Sequence, residues 1–175
     1  MCHMKNRVMI IGGVQAGKST LMNALLGKDR QANKTQALVY DDWIVDTPGE
    51  YIENPMYYRN IMATSLEVTH VIYLQDATSS KSVFPPQFSL GIPKYQIGVI
   101  TKIDAPHADV DRAKALLQNV MTHGPIVKTS SWQKLGIEFI APLIQLNSEE
   151  GIRQFVKDRD SPYLMYCPLS GERGE

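Results

Sequence analysis

The chain has 175 residues, 18 basic against 18 acidic, with four histidines and two cysteines. Such a length supports one domain burying about two thirds of its unfolded surface, without staples or a second core. Balanced charge gives no long-range field for nucleic acid or an anionic membrane, Cys2 and Cys167 lack metal-ligand spacing, and no apolar run reaches membrane-spanning length. The opening "MCHMKNR" has no signal-peptide core, so the expectation is a soluble cytoplasmic protein with reduced thiols and neither nucleic acid nor membrane as partner.

Short apolar runs alternate with amphipathic segments over the first 145 residues, which predicts helices packed on a mostly parallel sheet. "RVMII" is the first strand. It leads into "GGVQAGKST", where Gly12, Gly17, Lys18 and Ser19 fit G-x-x-x-x-G-K-[ST]. "TLMNALLG" follows as the first helix, with Leu21, Ala24 and Leu25 on one face and Gly27 placed to end it. A chance glycine turn would lack this strand before and helix after. In a P-loop the backbone of Gly12, Gly13, Val14, Gln15, Ala16 and Gly17 turns its amides toward phosphate oxygens, joined by those of Lys18, Ser19 and Thr20 at the helix start. Lys18 then reaches the β- and γ-phosphates, and the Ser19 hydroxyl ligates Mg2+.

"ALVYDDWIVDT" splits at Asp41-Asp42 into two short strands of a hairpin and ends near Asp46, the position of a Walker-B carboxylate that approaches the metal. Gly49 completes D-x-x-G; its amide is suited to contact a γ-phosphate, although a Pro-Gly turn after a strand is common by itself. "YYRNIMATSLEV" is a second helix, and "THVIYLQDA" and "YQIGVIT" are central strands. Between those strands Pro85-Pro86 forbids a full helix, so "SSKSVFPPQFSLGIP" reads as a loop with one helical turn. "GVITKIDA" ends in Thr101-Lys102-Ile103-Asp104, a variant of N-K-x-D. One carboxylate accepts both guanine N1–H and N2–H2, so Asp104 would select guanine, while Lys102 lays its stem along the base.

"DVDRAKALLQNVMTHG" is a helix begun by acids and closed by glycine, "PIVKTSS" is the last strand, and "KLGIEFIAPLIQ" a last helix kinked or interrupted at Pro142. From Asn147 the chain turns polar and ends in glycine and charge, though "PYLMYCPL" is apolar enough to dock. The division is a P-loop domain over residues 1–146 and an extension over 147–175 that covers the core, binds a partner or stays disordered. The fold class is α/β: three layers, with a mainly parallel six-stranded sheet and helices on both faces.

The three motifs in this order resemble the Ras-like, translation-factor-related GTPases from about Arg7 to Gln145. "KTQALVYDDWIVDTPGEYIENPMYY", "QDATSSKSVFPPQF" and "VITKID" are similar to the small EutP/PduV family of ethanolamine and propanediol utilisation. The resemblance implies GTP or GDP with Mg2+ as ligands, and a bacterial cytoplasmic protein linked to metabolic microcompartments, with shell or filament proteins as candidate partners. It also assigns Thr35 to the Mg2+ shell as the switch-I threonine, a residue that is otherwise only part of a polar loop. Ser130 and Ser131 in "TSS" fall where the superfamily offers amides to guanine O6; a helix N-cap is the other reading.

Glu50 stands where Ras-like enzymes carry the glutamine that orients water, and a carboxylate there adds like charge, so slow hydrolysis is expected. Thr101 lacks the amide that ties the base loop to the P-loop, which would weaken guanine preference and leave ATP open. Members of the resembling family described as acetate kinases suggest a phosphotransferase alternative, with Glu50, Arg59 or Lys81 framing an acceptor. A non-catalytic microcompartment module that uses nucleotide as a conformational ligand is the third reading. The four histidines do not cluster in the sequence, which gives no support to a histidine metal site.

Overall fold

A computed structural model describes residues 5–27 and 38–169. Among the described residues seven strands form one sheet in the order β2-β3-β1-β4-β5-β6-β7. They are β1 (Val8–Ile11), β2 (Val39–Asp41), β3 (Ile44–Asp46), β4 (His70–Asp76), β5 (Tyr95–Thr101), β6 (Gly124–Lys128) and β7 (Leu164–Cys167). The five from β3 to β6 are mutually parallel, and β2 and β7 run antiparallel at the edges. The six strands read from the sequence are therefore all present, and the tail adds a seventh.

Strand alternation divides the core. Met9 and Ile11 face one layer and Val8 and Ile10 the other, all fully buried, because successive strand side chains point to opposite faces. The first layer holds α2 (Glu50–Glu53), α3 (Tyr58–Ser65) and α4 (Val110–Val120), through Ile52, Ile61 and Leu117. The second holds α1 (Lys18–Leu25), α5 (Ile140–Ile144) and α6 (Glu149–Arg159), through Leu21, Leu143 and Ile152.

Local signals explain the helix ends. Gly27, at φ +65°, follows α1 and lets its amide reach the Ala24 carbonyl. Asp109 caps α4 by accepting from Arg112 N. The segment after the Pro85-Pro86 loop makes only a 3-10 turn, Phe88–Gly91, as expected. "KLGIEFIAPLIQ" breaks into a 3-10 turn, Ile137–Phe139, and the five-residue α5, with Pro142 in the first turn where its missing N–H costs nothing.

The tail carries α6, capped by Ser148 and flanked by acids in its first turn and bases in its last, as the macrodipole favours. It then returns as β7 beside β6, pairing Gly124 with Cys167 and Val127 with Leu164. Among the described residues no helix is long and apolar enough to cross a membrane.

Candidate functional site

The motifs meet because parallel strands end on the same side. β1 opens into the P-loop, β3 ends at Asp46, β4 at Asp76 and β5 at Thr101, and β6 is followed by Thr129. β1 lies between β3 and β4, so the chain leaves it toward both flanks. Open α/β sheets place ligands at such a reversal, outside the carboxyl ends.

At the phosphate end, Gly17 precedes α1 at φ +98°, a left-handed conformation that a side chain would strain. Gln15 takes φ +64° and is exposed, and Ala16 N donates to the Gly13 carbonyl at 3.1 Å. Gly12 is pressed on β4, where a Cβ would come within 2.8 Å of Leu74 Cβ. Lys18 is buried at 6% exposure and its Nζ donates to the Gly13 carbonyl at 2.9 Å. Burial pushes its pKa down, while Asp46 and Glu53 pull the other way. Thr20 lies exposed on the outer side of α1.

Ser19 Oγ donates to Asp46 Oδ2 at 3.0 Å. Asp46 is fully buried, and the next residue, Thr47, fixes the turn by donating its hydroxyl to the Ile10 carbonyl at 2.7 Å. These two hard oxygens beside a buried ammonium fit Mg2+, which keeps waters and phosphate oxygens and takes few protein ligands. Among the described residues no cluster of three or more His, Cys, Asp or Glu offers a different metal cage. Thr35 lies outside the described residues.

Gly49 is buried against the P-loop: a Cβ there would sit 2.6 Å from Val14 N and 2.8 Å from Val14 Cα. Glu50 is exposed at the start of α2. At the other end of this single turn, Glu53 Oε1 accepts a hydrogen bond from Val14 N at 2.7 Å. The sequence reading did not include Glu53, and a one-turn helix has no periodicity that would have pointed to it.

At the base end, Thr101 Oγ1 donates to the Ala16 carbonyl at 2.8 Å. This corrects the expectation that threonine loses the tie to the P-loop, because a hydroxyl on β5 reaches that carbonyl as a donor. Lys102, at φ +60°, adds a second tie, donating to the Gln15 carbonyl and to Asp76 Oδ2, both at 2.7 Å. Burial works to raise the Asp76 pKa, but hydrogen bonds from Lys102 and Thr78 prevail and hold it below the usual carboxylate range. Asp76, also missed, closes β4 in "LQDA", a strand-end carboxylate as legible as Asp46. Asp104 is exposed on its loop.

Ile103 N donates to the Thr129 carbonyl at 3.3 Å, which joins this loop to the one after β6. There Ser130 is buried, exchanges backbone hydrogen bonds with Leu135, and accepts from Gln133 N at 3.0 Å through Oγ. It closes a turn and caps no helix, because the chain folds back to pair Ser130 with Leu135 before any helix begins. Ser131 is half-buried, and Trp132 beside it is 90% exposed.

Comparison with known proteins agrees with this arrangement. The family model PduV-EutP, described as ethanolamine utilisation and propanediol utilisation, matches residues 4–146. The chain is 39% identical over 127 residues to "Probable acetate kinase EutP" of Escherichia coli K12, covering 71% of this chain and 80% of that protein. It is 34% identical over 155 residues to the protein of the same name in Salmonella typhimurium LT2, covering 85% and 98%. "Propanediol utilization protein PduV" of Citrobacter freundii is 36% identical over 98 residues, 56% of this chain and 65% of that one. Among solved structures, S. thermophilus NFeoB bound to GDP.AlF4- superposes with a TM-score of 0.60 at 19% identity, over 79% of this chain and 61% of that one. That likeness is one of fold, an α/β domain on a mainly parallel sheet. The family match and these relatives show that the chain belongs to the PduV-EutP family of ethanolamine and propanediol utilisation.

Proposed function

We propose that this chain is a guanine-nucleotide-binding protein that holds GTP or GDP with Mg2+ and hydrolyses GTP slowly, in the cytoplasm, in the service of ethanolamine or propanediol utilisation. The observation that carries the reading is the Thr101 to Ala16 hydrogen bond, which holds the loop bearing Asp104 in register with the phosphate loop. One ligand of nucleoside-phosphate length would engage both. Asp104 accepts from the guanine edge, and Lys102, pinned to Gln15 and Asp76, flanks the base. The Ser130 amide is engaged with Leu135, which leaves Ser131 to offer its amide to guanine O6.

The P-loop amides and Lys18 bind and neutralise the phosphates. Ser19 and Asp46 are the residues that would hold Mg2+, which would supply charge neutralisation for the phosphates. The Gly49 amide faces the outer phosphate, and Thr35 belongs to the same shell by resemblance. Glu50, a carboxylate at the water-orienting position, brings like charge toward the γ-phosphate, so turnover is slow. Microcompartment shell or filament proteins are the partners to test by pull-down.

The names of the Escherichia and Salmonella relatives favour a second reading, phosphoryl transfer from ATP to acetate. One assay separates the two: phosphate release from GTP and acetyl-phosphate formation from ATP and acetate, each with and without Mg2+. GTP-dependent phosphate release without acetyl phosphate supports the first reading. Acetyl phosphate formation overturns it.

A further inference from the structure

We propose that Glu53 is a tethered stand-in for the terminal phosphate, so that a triphosphate binds by displacing this carboxylate while a diphosphate binds beside it. The inference deepens the nucleotide reading above and rests on it. Its basis is that the outer half of the P-loop is already satisfied by the chain's own groups. The Val14 amide donates to Glu53 Oε1 at 2.7 Å, and the Lys18 ammonium donates to the Gly13 carbonyl at 2.9 Å.

The position is that of the last phosphate. The inner amides, next to α1, surround the phosphate nearer the nucleoside, so Gly13 and Val14 are left for the outer one. Gly49, whose amide suits a γ-phosphate, is packed on these same two residues. A Cβ on Gly13 would come within 3.1 Å of Glu53 Oε1 and 2.9 Å of Val83 Cγ1. The carboxylate oxygen and the valine methyl thus both crowd Gly13, and the Val14 amide that an outer phosphate would use is already taken by Glu53.

The contact is also built to be reversible. Glu53 is exposed, so its carboxylate returns to water at little cost, whereas Ile52 beside it is buried at 1% exposure and anchors the turn. Displacement therefore moves one charged side chain at the end of α2 and reports which nucleotide is bound. Glu53 sets the diphosphate-to-triphosphate preference and couples it to α2.

The test uses the full chain with Mg2+ and compares wild type, Glu53→Gln and Glu53→Ala for affinity toward GDP and a non-hydrolysable GTP analogue. With an exposed carboxylate as competitor, triphosphate affinity is expected to rise about fivefold in both variants while GDP affinity stays within about twofold. In the nucleotide-free protein, exchange of the Val14 amide with deuterium should quicken in Glu53→Ala. An unchanged ratio of the two affinities, or an unchanged Val14 exchange rate, overturns the inference and leaves GDP binding standing. If the wild type binds neither nucleotide, the reading on which it rests is overturned, and the inference falls with it.

Discussion

The phosphate end of the site buries Lys18 and Asp46, and the base end exposes Asp104. Lys18 is 6% exposed and Asp46 fully buried, each held by a contact within the P-loop or from it to β3. Asp104 faces solvent, Trp132 is 90% exposed, and their loops are tied down through residues such as Thr101, Lys102, Ile103 and Ser130. A buried ammonium costs solvation that a multiply charged ligand restores, so binding strength belongs to the phosphate end. An exposed carboxylate on a tethered loop adds selectivity and little strength. Breaking the first end should abolish binding, and breaking the second should change which base is bound.

Lys18→Ala is the harshest break. Triphosphate affinity is expected to fall by at least about a hundredfold, while thermal stability stays within about 1 kcal/mol because the variant also sheds a buried charge. Calorimetric titration and a melting curve check both halves. Retained affinity would remove the phosphate end from the account.

Gly49→Ala comes next. Its Cβ would meet backbone, 2.6 Å from Val14 N and 2.9 Å from Gly13 C, and backbone cannot rotate away. A loss of about 2–3 kcal/mol in stability is expected, with weakened nucleotide binding. Gly27→Ala is the matched control, since φ is +65° there but nothing lies within 4 Å of its Cβ. That variant should lose only about 1 kcal/mol, with binding unchanged.

Thr101→Val has a smaller effect than Gly49→Ala and separates the two ends most finely. It leaves the Ala16 carbonyl without the donor at 2.8 Å, a cost of about 1–2 kcal/mol in denaturant unfolding. GTP affinity should fall several-fold, about as much as one hydrogen bond supplies, while affinity for inorganic triphosphate stays unchanged. Equal losses for both ligands would mean that Thr101 supports the P-loop alone.

What the sequence made legible follows from how local each constraint is. The P-loop, Asp46 and the Thr101–Asp104 loop could be read because each is a short run at a strand end whose spacing the backbone dictates. The Thr101 tie could not, since it joins residues 85 positions apart and a hydroxyl does the work expected of an amide. The tail shows both cases. The helix was missed although its signs are local: Ser148 at the cap, Glu149-Glu150 in the first turn, Lys157 and Arg159 in the last, and Ile152, Phe155 and Val156 on one face, a pattern interrupted by Gly151. The pairing of β7 with β6 depends on a partner strand more than 35 residues away, and four apolar residues do not specify it. Glu53 against Val14 is tertiary throughout.

The most direct test is equilibrium binding of GTP, ATP and xanthosine triphosphate, with Mg2+, to the wild type and to Asp104→Asn. A carboxylate pairs with the two guanine donors, and an asparagine amide matches the carbonyl that xanthine carries instead. Wild type is expected to prefer GTP over both others by about a hundredfold, and the variant to turn that preference to xanthosine triphosphate. Equal or tighter binding of ATP by the wild type, with the order unchanged in Asp104→Asn, would contradict the guanine reading and move phosphoryl transfer from ATP to first place.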